Sequence, residues 1–115
     1  MHSIQSALQA AFDQNFGAGA LDKRLRQIKF DKAVERGRAL MLAATRATAE
    51  GRLTDALSTV RRDRFACAAF IAHDLSRERK RFVSVKAAFS ELELMEQLWE
   101  EKIAEQKARP LPVAG

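Results

Sequence analysis

The sequence holds one cysteine, two prolines, five glycines and no tyrosine in 115 residues, and each scarcity excludes something. Cys67 alone cannot close an intrachain disulfide, so a disulfide scaffold is ruled out and a reducing compartment is expected. With so few glycines and prolines there are few obligatory breaks. Twenty-one alanines add strong helix propensity, which leaves little material for a sheet. No run approaches the roughly 18 uninterrupted apolar residues that a membrane helix needs. The first sixteen residues lack the basic start and long apolar stretch of a signal peptide. The expectation is a soluble, cytoplasmic, all-α protein with no membrane association.

Hydrophobic residues make up 47% of the chain and charged residues 30%, the balance of a folded domain. This length fits one domain, expected over residues 1–109, with 110–115 a disordered tail. A core of this size is marginal, so self-association is an ordinary way to add burial. The net charge of +5 is uneven, because residues 1–90 carry +8 and residues 91–115 carry −3. A basic body with an acidic last segment suits an anionic partner, or the pairing of the chain's own two ends. Thirteen arginines against seven lysines, with so much alanine, also fit a GC-rich coding bias, which assigns part of the basicity to composition.

Apolar spacing predicts a helix over residues 3–16 with Ser3 as its N-cap, ended by Gly17-Ala18-Gly19. A second helix is expected from Ala20 to Glu50. Leu21, Leu25 and Ile28 share one face of it, and Phe30, Val34, Gly37, Met41, Ala44 and Thr48 share another. Two such faces imply burial on both sides or a bend near Asp31, and the segment reads as the central, well-buried helix. Thr54 to Arg109 contains no glycine or proline, with Thr54 or Asp55 as a possible cap and Pro110 as the stop. The apolar phase changes across the polar run Ser76–Arg81. The reading is therefore two helices with a turn near residues 75–79, or one kinked helix. The last is long and amphipathic, its stripe running Phe82, Val85, Phe89, Leu92, Trp99, Ile103. The whole is expected to be a bundle of four to five helices. Gly51-Arg52-Leu53-Thr54-Asp55-Ala56-Leu57 is similar to the inter-helix turn of a tetratricopeptide repeat. It occurs once, whereas such repeats need stacked copies, so it assigns no family.

Catalytic and metal chemistry find little support. His73 has Ala69, Phe70, Ser76 and Arg77 at helical contact spacing, so no metal pair forms. Cys67 lies among alanines and reads as a small buried hydrophobe rather than a nucleophile. Glu91, Glu93, Glu96, Glu100, Glu101 and Glu105 read as the solvated face of the last helix. No glycine-rich phosphate loop is present. No enzyme, cofactor, metal or small-molecule substrate is expected.

Two features carry the functional expectation. Basic residues cluster at Lys23–Arg38, at Arg61–Arg64 and at Arg77–Arg81, interrupted by Asp22, Asp31, Glu35, Asp63 and Glu78. Arg24, Arg26, Lys29, Arg36, Arg61, Arg62, Arg79, Lys80 and Arg81 are the candidate phosphate contacts for a nucleic acid or nucleoprotein partner. No known DNA- or RNA-reading motif accompanies them, and no exposed aromatic for base stacking is evident in the sequence. The second feature is surplus apolar surface on the last helix at Leu94, Met95, Leu98 and Trp99. It suits a protein partner or a second copy, and gives the alternative of an interaction module such as an adaptor, chaperone or inhibitor.

Overall fold

A computed structural model describes residues 4–109. Five helices and no strand occupy the described residues: α1 (Ile4–Phe16), α2 (Ala20–Ala49), α3 (Leu53–Arg61), α4 (Arg64–Arg79) and α5 (Val85–Ala108). The all-α expectation with four to five helices holds. The expected cap Ser3 and the tail 110–115 lie outside the described residues. The chain divides into two compact units, residues 1–32 and 33–115, with the division inside α2.

In the first unit α1 and the start of α2 form a helical hairpin. Gly17 takes a φ of +101°, a left-handed conformation that side chains other than glycine rarely adopt. Its N–H donates to the Asp13 carbonyl at 3.0 Å, and the Asp13 carboxylate accepts from the Gly19 N–H at 3.0 Å. Gln9 Nε2 then donates to Asp22 Oδ2 at 2.8 Å and ties the two helices together.

The second unit is built around small side chains. Ala44 and Ala47 of α2, Ala56 and Val60 of α3, Cys67, Ala68, Ile71 and Ala72 of α4, and Ala88 and Leu92 of α5 form one buried cluster. Small residues let helix axes approach closely, and Gly37 is the extreme case. A Cβ built there would stand 1.9 Å from the Ala66 carbonyl oxygen and 2.9 Å from Phe70 Cβ. Backbone of α2 therefore lies directly on backbone of α4.

Four expectations about the helices change, the first being the start of α3, which begins at Leu53 with Arg52 rather than Thr54 or Asp55 at the cap position. Burial in α2 begins only at Val34 and continues at Gly37, Ala44 and Ala47, whereas Leu25 and Ile28 are exposed. The stretch expected to run unbroken from Thr54 to about residue 75 is two helices, because Asp63 starts a new one. Its Oδ1 accepts from the Ala66 N–H at 3.0 Å, an N-cap worth about 1 kcal/mol. The expected turn near 75–79 lies at residues 80–84, after Lys80 closes α4 in a left-handed conformation (φ 53°). Ser84 caps α5 by accepting from the Ala87 N–H at 3.1 Å.

Candidate nucleic-acid interface

The elbow between α4 and α5 is held from inside and charged outside. Ser76 Oγ accepts from the Val83 N–H at 2.9 Å and donates back to the Val83 carbonyl at 3.4 Å. Val83 is buried, so the short link is anchored at that point. Its neighbour Phe82 is left 86% exposed. Phe82 was expected in the apolar stripe of the last helix. It is excluded because Ser84 starts α5 at Val85, three residues further on. Arg77, Arg79, Lys80 and Arg81 precede this ring in sequence, and all are exposed. Residues 77–91 carry a net +3. Arg79 reaches Glu91 only at 4.0 Å. Arg77, Lys80, Arg81 and Lys86 have no ion-pair partner among the described residues. Some of this charge answers the negative end of α4, where a cation contributes about 0.3–1 kcal/mol. That end is equivalent to only about half a charge, so most of the cations are left over.

The other candidate phosphate contacts divide. Arg36 Nε donates to Asp63 Oδ2 at 2.8 Å. Arg61 donates to Glu96 at 3.2 Å and also to Glu100, and these carboxylates raise its already high pKa, Glu100 first. Both arginines are turned toward acids of their own chain. Arg62 is exposed and unpaired among the described residues, as are Arg24, Arg26 and Lys29 in the first unit. Of the nine candidates, Arg79, Lys80 and Arg81, already neighbours in sequence, lie exposed at the α4–α5 elbow.

Glu96 departs from its expected place on a solvated face. It is only 6% exposed, one turn beyond Leu92 on the buried side of α5. Arg64 Nε and Nη2 donate to Oε1 at 3.0 and 2.7 Å, and Arg61 Nε donates to Oε2. The Arg64 guanidinium also sits 5.7 Å from the centre of the Phe89 ring. One carboxylate thus joins the end of α3, the start of α4 and the middle of α5. A glutamate four residues after a core leucine is the sequence signal for this placement.

The four residues proposed for a protein interface also divide. Leu94 and Leu98 are exposed on the outer side of α5. Trp99 packs against the core, and its Nε1 donates to Thr48 Oγ1 at 3.0 Å. Met95 packs against the same core and lines a shallow groove with Met41, Leu42, Phe70 and Leu75.

Cys67 is fully buried, its Sγ 3.8 Å from the Val60 carbonyl. Burial, reinforced by Asp63 and Glu96 and opposed by Arg36, pushes the thiol from 9.0 up to about 11. At neutral pH the group is a thiol, without the thiolate that nucleophilic chemistry needs. A raised acid favours its protonated form in the fold. The stabilisation is complete below the ordinary thiol range and is lost as pH rises toward 11. Melting curves should show a loss of stability between pH 9 and 11, and Cys67→Ala should remove that part of the loss. An identical alkaline profile in the variant would assign the loss elsewhere. No group of three or more His, Cys, Asp or Glu side chains is placed to hold a metal among the described residues, and no described helix is long and apolar enough to cross a membrane.

No family model, curated protein or solved structure matches the chain.

Proposed function

We propose that this chain is a non-enzymatic nucleic-acid-binding protein that holds a single strand at the α4–α5 elbow. The observation that carries the reading is Phe82, an 86% exposed aromatic ring that directly follows the exposed cations Arg77, Arg79, Lys80 and Arg81. Single-strand binding combines cations that follow the phosphates with an aromatic face on which an unstacked base rests. On a duplex, whose bases are stacked, Phe82 would have to wedge between base steps and unstack them, a cost that a single strand does not impose. Arg79, Lys80 and Arg81 take phosphates, and Phe82 takes a base.

The test is fluorescence anisotropy with a labelled single-stranded oligonucleotide. Arg79→Glu with Arg81→Glu should abolish binding, and Phe82→Ala should weaken it by roughly five- to a hundredfold, the range for one stacked base. Neither residue is buried, so the fold should survive. Unchanged binding after the double reversal would overturn the assignment. A second reading, a protein-interaction module acting through α5, is favoured by the exposure of Leu94 and Leu98. It predicts no oligonucleotide binding by any form of the protein.

A further inference from the structure

The first unit cannot cover its own apolar surface. Its two helical segments span residues 4–32, and chains below about 40 residues seldom fold alone without a metal, a disulfide or oligomerisation. Ile4 is 83% exposed and Phe16 72%, and Leu8, Phe12, Leu25 and Ile28 are exposed as well. Ile4, Leu8 and Phe12 follow at every fourth position, so they form one slowly turning stripe along α1. Leu25 and Ile28 share a side of α2 with Leu21, and the same spacing puts Lys23 and Arg26 on the opposite side. Phe12, Phe16, Ala20, Leu21 and Arg24 line a groove of about 200 Å³ where the hairpin turns.

We infer that this hairpin is a dimerisation element whose occupant is the same hairpin of a second copy. The exposed apolar area selects that occupant. At about 150–200 Å² for each fully exposed side chain of this class, the six residues offer roughly 600 Å² per copy. A two-fold pair that covers all six side chains buries at most about 1,200 Å², where stable interfaces begin. Two hairpins laid face to face complete a four-helix bundle, the smallest arrangement in which each apolar stripe finds a neighbour. Asp13 is the one acid of α1, and its carboxylate is held by the turn at Gly19. Charge plays no attractive part, since residues 1–32 carry a net +2 in each copy. Lys23 and Arg26 are directed away from the contact, whereas Arg24 lines its groove and Lys32 falls on the Leu25–Ile28 side, so an apolar centre has a cationic rim.

Light scattering on the full chain tests this. The wild type should show twice the 12.9 kDa chain mass. Added salt should leave the dimer intact or tighten it, because screening removes repulsion between like-charged hairpins. Leu8→Glu with Leu25→Glu should give a monomer with the emission of Trp99, the sole tryptophan, unchanged. A monomeric wild type, or a dimer that survives the double substitution, would overturn the inference. So would a dimer that salt dissolves, since that pairing would rest on opposite charge. Loss of the native Trp99 emission in Leu8→Glu/Leu25→Glu would show instead that these leucines support the second unit, and would also overturn it.

Discussion

Gly37→Leu is expected to prevent folding, and Gly37→Ala to cost about 3 kcal/mol or more, though alanine is the better helix former by about 1 kcal/mol. The reason is the obstacle that a new Cβ would meet. It would lie 1.9 Å from the Ala66 carbonyl oxygen and 2.5 Å from the carbonyl carbon. A side chain can swing aside, but these are backbone atoms inside α4. Relief requires α2 and α4 to separate, and separation opens gaps beside Ala44, Ala47 and Ala68, where the core has no large side chain to spare. Chemical denaturation of Gly37→Ala measures the cost. Ala39→Leu, at an exposed position of the same helix, should change little. A Gly37→Ala variant as stable as the parent would mean that the two backbones do not touch.

Replacing Arg61 and Arg64 together by alanine should destabilise the protein far more than replacing Glu96 by leucine. The asymmetry follows from who is buried. Glu96 is 6% exposed, whereas both arginines remain close to half exposed. Removing the arginines leaves the Glu96 carboxylate buried without a counter-charge, a situation that costs about 3–5 kcal/mol. With Glu96→Leu the guanidinium groups turn into water, and an apolar side chain joins Leu92 on the core side of α5. That change should be neutral within about 1 kcal/mol. Denaturation midpoints of the two variants decide the matter. A larger loss in Glu96→Leu than in Arg61→Ala/Arg64→Ala would show that the carboxylate contributes net stability beyond answering its own burial.

The helical class was legible because alanine is abundant and breakers are scarce, and α1 and α2 end close to where glycine marks them. The α3–α4 break was not, because no glycine or proline stands there. Asp63 supplies it through a capping bond to Ala66 and a second bond to Arg36, and an aspartate in a helical pattern is more often a surface residue. Phe82 and Glu96 were misplaced for a shared reason. Apolar periodicity treats a segment as one continuous helix, so it draws Phe82 into a stripe that begins only at Val85. It also treats every glutamate as outward-facing, although Glu96 follows Leu92 by one turn and is compensated from α3 and α4. Such compensation depends on residues more than thirty positions away, and local spacing carries no trace of it. The cationic run Arg77–Arg81 was visible in the sequence. The exposed ring beside it emerges only once Val83 and Ser84 are placed.

The central claim is that the elbow binds a single-stranded nucleic acid through Phe82 and its cations. The most direct measurement is anisotropy of a labelled single strand over a series of salt concentrations, for the wild type, Phe82→Ala and Arg79→Glu/Arg81→Glu. Counterion release predicts a linear fall of log affinity with log salt for the wild type. Phe82→Ala should run parallel and lower, since stacking releases no ions, and the double reversal should show no binding. Absent binding by the wild type at low salt, or a Phe82→Ala line that coincides with the wild type, would contradict the account.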